Sequence, residues 1–240
     1  MWLVILWLSM VESQLIKEKE INHKHLNIVI AGGDGSIGLA IHNSLRDHYN
    51  VISIDKKNNS GINILCDLTN STEVKKTFET INSTFEKIDC LILAQGRVLF
   101  KPLFKSTAND ALELLHANYL STINCLQGSE SLLLKSEAPL LININSNSEI
   151  DSFANNALYS ASKVASSKIL DVLAVENPKI KITRVYLGAV KSNFWNSYPE
   201  FNLEDMLDPT LVAKTVEFIL QNKSHVHIPS VTLMPKGGVL

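Results

Sequence analysis

The sequence predicts a doubly wound α/β domain, in which helices cover both faces of a parallel sheet. Three observations favour this fold class. Short apolar segments alternate along the chain with longer segments of helical periodicity. Most of the short segments are apolar on both faces, which is typical of strands buried inside a parallel sheet. The 240 residues contain no repeat, low-complexity segment or linker, so a single domain is expected.

The predicted strands and helices follow one another in order along the chain. The strand segments are rich in β-branched residues and cover residues 26–31, 50–55, 62–65, 88–93, 140–145, 180–186 and 226–233. The helical segments space their apolar residues three and four positions apart and cover residues 37–48, 71–85, 110–134, 159–175 and 209–221. Ser71 or Thr72 is expected to cap the second helix. In such a fold, ligands bind at the carboxyl ends of the strands.

Charge and cysteine content argue against several classes of function. The formal net charge is −2 and the basic residues form no stripe, so no nucleic-acid partner is expected. Cys66, Cys90 and Cys125 lie far apart in apolar segments, which predicts buried free thiols and a cytoplasmic location rather than disulfides or zinc. His225 and His227 alternate on the last predicted strand, but two ligands make a poor metal site. We therefore expect no metal.

The amino terminus reads as an extension of residues 1–25, which precedes a domain of residues 26–240. Residues 2–8 are an unbroken apolar run, and residues 12–25 are polar. A membrane-spanning helix needs roughly 20 apolar residues, so no membrane span is expected. The run also lacks the basic region and cleavage site of a signal peptide. It is expected to pack on the domain or on a partner chain, with weak membrane-surface association as the alternative.

A glycine-rich segment follows the first strand and opens the first helix. It reads AGGDGSIG, with glycines at positions 32, 33, 35 and 38. Backbone N–H groups at a helix start favour a pyrophosphate, and glycines let the backbone approach it closely. Asp55 ends the second strand, about 20 residues further on, where an acidic residue binds a ribose in dinucleotide-binding folds. The alternative is that the glycines only turn the chain.

Asp55 bears on the choice of dinucleotide. A carboxylate at this position accepts both hydroxyls of the adenosine ribose and repels a 2′-phosphate. Lys56 and Lys57 follow directly and would compensate in part. The sequence therefore favours NAD as cofactor and leaves NADP possible.

Tyr159 and Lys163 are four residues apart and share one face of a predicted helix. A free tyrosine has a pKa near ~10 and is a poor base at neutral pH. A lysine ammonium a few ångströms away favours the phenolate and lowers that pKa. A YxxxK spacing alone is common on solvated helices, so the surrounding sequence decides its meaning.

With the glycine loop, the YSASK motif at residues 159–163 resembles the classical short-chain dehydrogenase/reductase family. The resemblance runs from about Asn27 to the carboxyl end. It implies a Rossmann-type fold and an NAD(P)-dependent oxidoreductase that transfers a hydride between nicotinamide and a secondary alcohol or ketone. It also implies a serine thirteen residues before the tyrosine, which is Ser146, with Ser148 as a rival. The asparagine of the long central helix is Asn118.

The resemblance implies roles for these residues. Tyr159 would exchange a proton with the substrate oxygen, and Ser146 would hydrogen-bond that oxygen. Lys163 would hold the nicotinamide ribose and lower the tyrosine pKa, while Asn118 would support a water on the proton path. Cofactor contacts are implied at Gly32, Asp34, Gly35, Ser36, Ile37, Gly38, Asp55, Asp67, Leu68, Ala94, Gly96, Tyr159, Lys163, Gly188, Val190 and Ser192. Family members commonly form homodimers or homotetramers through the long central helices.

Three positions depart from the family pattern. Ser36 stands where the family has its second loop glycine. Residues 93–96 read LAQG instead of Asn-Asn-Ala-Gly, and Leu187 replaces a proline. These changes affect scaffold and cofactor positioning more than proton chemistry. They support the alternative of a non-catalytic dinucleotide-binding or scaffold protein on the same fold.

Other residues carry weaker expectations. Phe194, Trp195 and Tyr198 either line a substrate pocket or pack on one another. His116 is expected to be structural. Arg97 is expected to be exposed, with a contact to an acidic substrate as the alternative. A sugar-nucleotide epimerase or dehydratase also uses YxxxK, but the loop spacing and the short carboxyl-terminal part argue against that class.

Overall fold

The computed structural model describes residues 26–238 except residues 62 and 199. Within these residues, seven strands form one parallel sheet with the order β3-β2-β1-β4-β5-β6-β7. The strands are β1 (Asn27–Ala31), β2 (Asn50–Asp55), β3 (Asn63–Leu65), β4 (Cys90–Leu93), β5 (Leu140–Ser146), β6 (Lys181–Leu187) and β7 (Ser230–Leu233). The predicted single-domain, Rossmann-type doubly wound sheet is confirmed.

Helices cover both faces of the sheet. They are α1 (Ser36–Leu45), α2 (Ser71–Thr84), α3 (Ala108–Leu114), α4 (Ser121–Lys135), α5 (Ala157–Glu176) and α6 (Pro209–Asn222). The core on one face joins the sheet to α1 and α6, through residues such as Ile41 and Val216. The core on the other face joins it to α2, α4 and α5, through residues such as Phe78, Leu132 and Leu170. Strands apolar on both faces are buried between these two layers.

From β1 the chain first adds strands on one side, as β2 and β3, and then adds β4 on the other side of β1. The direction in which strands are added therefore reverses at β1. In open α/β sheets the crevice at such a reversal, outside the carboxyl ends of the strands, is where ligands bind. The segments that follow β1, β4, β5 and β6 all leave the sheet at this edge, because the strands are parallel. This edge therefore gathers the residues that the sequence singled out.

The sequence predicts one helix over residues 110–134, but the structure shows that this helix is not a single α-helix. A π-helical segment, Leu115–Leu120, separates α3 from α4. Such wide turns arise where one extra residue is accommodated within a helix, and they are frequent at functional sites. Apolar periodicity did not reveal it, because the repeat resumes on the same side after the wide turn.

The last strand is shorter than predicted, since β7 begins at Ser230 and not at residue 226. His225 and His227 therefore lie before the strand and do not alternate on it. A ring nitrogen of His227 lies 3.0 Å from the carbonyl oxygen of Ile182, which gives that side chain a structural contact. Pro229 cannot donate to a strand ladder, which explains the late start.

The cap of α2 also differs from the expectation. Neither Ser71 nor Thr72 caps the helix; the side chain of Asn70 accepts hydrogen bonds from the backbone N–H groups of Thr72 and Glu73. Asparagine is as effective an N-cap as serine, and the helix starts one residue later than its cap.

Cys66, Cys90 and Cys125 are buried and free, as predicted. The expectation for the apolar run at residues 2–8 lies outside the described residues. Across residues 26–238, apart from the two gaps, no helix is long and apolar enough to cross a membrane.

Candidate functional site

The glycine loop folds tightly between β1 and α1. Gly32 has φ +87°, and its backbone N–H donates to the carbonyl oxygen of Ile54 at 2.8 Å. A Cβ at Gly38 would lie 2.0 Å from the carbonyl oxygen of Gly32, so no side chain fits there. A Cβ at Gly35 would meet that oxygen at an ordinary 3.5 Å. The internal packing of the protein therefore requires glycine at position 38 but not at position 35.

Two carboxylates lie beside this loop. The carboxylate of Asp55, at the end of β2, accepts hydrogen bonds from the backbone N–H groups of Asp34 and Lys57, both at 3.1 Å. The carboxylate of Asp34 accepts from the Asn59 amide at 2.7 Å and from the N–H and hydroxyl of Ser60 at 3.1 and 3.0 Å. These bonds, led by the Ser60 N–H, hold the pKa of Asp34 below its ordinary value. These hydrogen bonds fix the positions of both carboxyl groups at the mouth of the loop.

Four further predicted cofactor contacts lie on neighbouring elements. Ser36 and Ile37 are the first two residues of α1. Asp67 follows β3 and accepts from the Thr69 N–H and hydroxyl, which lowers its pKa. The carbonyl oxygen of Leu68 accepts from the Asn124 side chain at 2.9 Å. These residues lie at the carboxyl edge of the sheet, on the β2–β3 side.

The LAQG segment lies directly against the glycine loop. The Ala94 N–H donates to the Ala31 carbonyl oxygen at 2.9 Å, and a Cβ at Gly32 would lie 2.6 Å from the Gln95 nitrogen. The Gln95 amide donates to the hydroxyl of Thr122 at 3.2 Å. The Gln95 side chain thus braces this segment against α4.

Ser146, Tyr159 and Lys163 come together at the end of β5. Ser146 is the last residue of that strand, and its side chain lies close enough to Tyr159 to lower the pKa of the tyrosine. The Lys163 ammonium lies 6.0 Å from the centre of the Tyr159 ring and donates to the Ile144 carbonyl oxygen at 3.4 Å. Two residues one helical turn apart on α5 therefore face the same strand end.

Burial moves the pKa values of this pair in opposite directions. Loss of hydration raises the pKa of Tyr159, and the nearby Ser146 side chain opposes that shift. Loss of hydration lowers the pKa of Lys163 to about 8, and the negative charge of Glu149 opposes this shift. Each shift disfavours the charged form of a dehydrated group, as expected.

Asn118 lies in the π-helical segment and is buried. Its side chain accepts from the Arg97 N–H at 2.7 Å and donates to the Arg97 carbonyl oxygen at 2.9 Å and to the Ser162 hydroxyl at 2.8 Å. A Cβ at Gly96 would lie 2.9 Å from the Asn118 amide oxygen and 3.5 Å from the Lys163 nitrogen. Asn118 and Lys163 therefore approach the same glycine.

The rival serine has a different environment. The Ser148 hydroxyl accepts a hydrogen bond from the Asn156 side chain at 2.8 Å, and both residues are buried. The Ser148 backbone N–H donates to the Ser146 hydroxyl at 3.1 Å. Ser146 is thus the serine next to Tyr159, while Ser148 supports the turn behind it.

The segment after β6 carries the remaining predicted contacts. A Cβ at Gly188 would lie 2.7 Å from a side-chain carbon of Pro235. Val190 forms a parallel bridge with Leu207, and its carbonyl oxygen accepts from the Trp195 indole at 2.8 Å. Ser192 precedes the short 3-10 helix Asn193–Ser197. This segment lies above the end of β6.

The aromatic residues of this segment pack on one another. Phe100, which follows β4, lies 5.8 Å from Phe194, 5.8 Å from Trp195 and 5.5 Å from Tyr198, measured between ring centres. These four rings, here called the aromatic cluster, join the segment after β4 to the segment after β6. Phe194, Trp195 and Tyr198 therefore pack on one another, which is one of the two interpretations that the sequence left open.

Two other side chains that the sequence singled out, His116 and Arg97, are exposed to solvent. His116 is exposed on the π-helical segment. Arg97 forms an ion pair with Glu113, and its side chain is 56% exposed. The exposure of Arg97 agrees with the simpler interpretation of that residue, and the structural role expected for His116 stays a prediction.

Sequence reasoning missed Glu149, which follows Ser146 in the 3-10 helix Asn147–Glu149. Its carboxylate accepts hydrogen bonds from Asn145, Ser167 and Tyr186. An acidic residue after a strand resembles any polar loop residue, and its partners lie on three separate elements. No local motif signals such a group.

Comparisons with known proteins identify relatives of this chain. The model of the short chain dehydrogenase family matches residues 26–202. Carbonyl reductase family member 4 of Danio rerio is 28% identical over 235 residues, which cover 88% of this chain and 96% of that protein. An uncharacterized oxidoreductase of Staphylococcus aureus is 27% identical over 171 residues, 70% of this chain and 74% of that protein.

Solved structures share the fold at lower identity. Aldohexose dehydrogenase of Thermoplasma acidophilum, in ligand-free form, superposes with a TM-score of 0.79 at 17% identity, over 88% of this chain and 93% of that one. Alcohol dehydrogenase of Thermococcus sibiricus, complexed with 5-hydroxy-NADP, gives 0.78 at 21% identity, over 87% and 96%. With the family model spanning most of the domain, the chain belongs to the short-chain dehydrogenase family of oxidoreductases.

Proposed function

We propose that the protein is an NAD-dependent oxidoreductase that transfers a hydride between nicotinamide and a secondary alcohol or ketone. The observation that carries the proposal is the convergence of Ser146, Tyr159, Lys163 and Asn118 at the carboxyl edge of the sheet. That edge also holds the glycine loop. A serine beside a tyrosine, with a lysine one helical turn away, is an arrangement suited to acid–base chemistry at a carbonyl.

The described residues fit a nicotinamide dinucleotide. The loop after β1 lets the backbone approach a ligand, since Gly35 is exposed and Gly38 permits the close turn. The N-terminus of α1 favours a pyrophosphate. Such a cofactor would supply or accept the hydride. The implied contacts at Asp67, Leu68, Ala94, Gly96, Gly188, Val190 and Ser192 remain part of this proposal.

The proton steps belong to the side chains. Tyr159 would give a proton to the carbonyl oxygen of a ketone, or take one from an alcohol. Ser146 would hydrogen-bond the same oxygen and stabilise the charge that develops on it. Lys163, as an ammonium, would favour the phenolate of Tyr159. Asn118, held by the Arg97 backbone, would support the water through which the proton leaves.

NAD is the proposed cofactor because the acidic side chains of Asp34 and Asp55 both lie beside the loop. A ribose 2′-phosphate carries negative charge and would be repelled by both groups. The hydroxyls of an unmodified ribose would instead donate to Asp55, whose oxygens each retain acceptor capacity. The two lysines that follow Asp55 are exposed.

We also propose that the enzyme acts in the cytoplasm as a homodimer or homotetramer, with residues 1–25 as an extension of the domain. Buried free thiols suit a reducing compartment. Apolar side chains are exposed on the long helices, at Leu112, Val164 and Val172, where a second copy would cover them.

A non-catalytic dinucleotide-binding or scaffold protein is the second candidate. The altered LAQG segment favours it, because the buried Gln95 side-chain oxygen has no hydrogen-bond partner among the described residues. An unpaired buried acceptor costs stability. The four converging side chains argue against it, because a scaffold needs none of them together.

Replacing Tyr159 by Phe separates the two candidates. We expect ketone reduction to fall by roughly 100- to 10,000-fold while NADH affinity, measured by energy transfer from tryptophan to the nicotinamide, changes less than about threefold. The variant keeps the ring and loses the proton. Unchanged turnover in Tyr159→Phe would refute the enzymatic proposal, and a protein that binds NADH without turning over any ketone or alcohol would favour the scaffold.

A further inference from the structure

Ser162 lies on α5 between Tyr159 and Lys163 and is buried, with 1% of its surface exposed. Its hydroxyl accepts a hydrogen bond from the Asn118 side chain at 2.8 Å and donates one to the Tyr159 carbonyl oxygen at 2.7 Å. A serine hydroxyl has one hydrogen to donate, and here that hydrogen is used. The hydroxyl therefore joins the π-helical segment to the turn of α5 that carries Tyr159.

The bond from Asn118 distinguishes Ser162 from other serines on helices. Serine side chains in helices commonly donate to a carbonyl oxygen of the preceding turn, and Ser121 does so to Ala117 at 2.6 Å. Asn118, by contrast, belongs to a different element from Ser162. Its amide has two hydrogens, of which one is donated to the Arg97 carbonyl oxygen and the other to Ser162. Both donors of the amide are thus committed to these two contacts.

These contacts form a continuous chain from the segment after β4 to α5. The Arg97 backbone binds the Asn118 side chain through both its N–H and its carbonyl oxygen, at 2.7 and 2.9 Å. Gly96 directly precedes Arg97, and a Cβ built there would lie 2.9 Å from the Asn118 amide oxygen. Gly96 is also one of the proposed cofactor contacts. The chain therefore ends beside a proposed cofactor contact on one side and at the Tyr159 turn on the other.

We propose that Ser162 is a positioning residue, which holds the Tyr159 turn of α5 at a fixed distance from Gly96 by way of Asn118. The inference rests on the proposed function, because a hydride from the cofactor and a proton from Tyr159 must reach the same carbonyl group. Reacting atoms need to lie about 3–3.5 Å apart, and a displacement of about 1 Å can cost roughly 100-fold in rate. Ser162 acts through its two neighbours and is assigned no contact with the substrate.

The first test compares Ser162→Ala with Ser166→Ala. Ser166 is the matched control, because it lies one turn further along α5, is also buried, and meets the Thr122 hydroxyl at 3.2 Å instead of Asn118. Alanine is smaller than serine and favours a helix, so both variants should fold. We expect kcat for ketone reduction to fall by about 10-fold or more in Ser162→Ala, with NADH affinity changed less than about threefold. Both quantities should stay within about twofold of the wild type in Ser166→Ala.

Thermal midpoints separate an effect on position from an effect on stability. Each alanine removes one buried hydroxyl, so the two midpoints should fall by similar amounts. If Ser162→Ala does not fold, Ser162→Cys keeps a side chain of nearly the same size with only weak hydrogen bonding and should show the same loss of kcat. An unchanged kcat in Ser162→Ala, or an equal loss in Ser166→Ala, would overturn the inference.

The second test needs no turnover. Tyrosine rings labelled with carbon-13 give five NMR signals, one for each tyrosine of the chain, and Tyr159→Phe assigns the signal of Tyr159. In the cofactor-free chain we expect Ser162→Ala and Asn118→Ala each to move that signal. The double variant should move it no further than Asn118→Ala alone, because residues of one hydrogen-bond network do not act additively. Ser166→Ala should leave the signal in place.

The outcomes distinguish this inference from the proposed function. A Tyr159 signal that does not move in Ser162→Ala overturns the positioning role, whatever the enzyme does. Shifts that add in full in the double variant overturn the connection through Asn118. Full activity in Tyr159→Phe would overturn the proposed function and leave the NMR result intact.

Discussion

The two halves of the site are fixed by different kinds of interaction. The half around the glycine loop is held mainly by backbone contacts, such as the Gly32 N–H to the Ile54 carbonyl oxygen. The half around Tyr159 is held by side chains, such as Asn118 to Ser162 and Glu149 to Ser167. The loop half should therefore respond to added volume, and the other half to lost charge and hydrogen bonds.

The largest effect is expected in the loop half, where a single added methyl group should weaken the binding of NADH. In Gly38→Ala the new Cβ would overlap the Gly32 carbonyl oxygen at 2.0 Å, and the loop must move. We expect NADH affinity to fall by roughly 10- to 100-fold, which corresponds to the usual cost of overpacking. Isothermal titration calorimetry measures it.

Gly35→Ala is the matched control for that change. Its Cβ would lie at an ordinary 3.5 Å from the same oxygen, so the stability of the fold should not change. Circular dichroism should show two folded variants, with the thermal midpoint lowered only in Gly38→Ala. Equal loss of stability in both variants would contradict the volume argument.

A smaller effect is expected from charge in the loop half. In Asp55→Ser a hydroxyl replaces the carboxylate that faces the adenosine ribose in our proposal. The ratio of NADPH to NADH affinity should rise by about 10-fold or more, because repulsion of the 2′-phosphate is reduced. Competition between the two cofactors measures the ratio.

Asp47→Ser controls for that loss of one acidic residue. Asp47 is exposed in the turn after α1, where a charge acts weakly across solvent. The affinity ratio should stay as in the wild type. If Asp55→Ser also leaves the ratio unchanged, the discrimination lies elsewhere and the NAD assignment loses its support.

The smallest effect is expected outside both halves. Removing residues 1–25 should change NADH affinity and ketone turnover by less than about twofold, because the proposed site residues all lie within residues 32–192. Light scattering should give a dimer or tetramer for both chains. A monomer after removal would assign the contact between copies to the extension.

Much of the fold followed from the sequence, because apolar segments of the right length specify strands buried on both faces. The ends of elements were less predictable. The cap of α2 is Asn70, because its side chain accepts hydrogen bonds from two backbone N–H groups. The sequence alone did not distinguish it from the neighbouring Ser71 and Thr72, whose side chains can also cap a helix. The last strand starts late because Pro229 precedes it.

The site residues also fall into those that the sequence revealed and those that it did not. Tyr159, Lys163 and the glycine loop were visible because their spacing is local. Glu149 was not, because Asn145, Ser167 and Tyr186 reach it from three elements that only the folded chain brings together. The wide turn at Leu115–Leu120 was hidden for another reason, since the apolar repeat resumes on the same side after it.

That wide turn restricts which insertions and deletions the gene can tolerate. Because the turn accommodates one extra residue, losing one residue between Leu115 and Leu120 would close it to a regular α-helical turn. The buried face of α4, with Cys125 and Leu132, would stay in the core. Asn118 would lose its place beside the Arg97 backbone, so a deletion here would spare the fold and disturb the site.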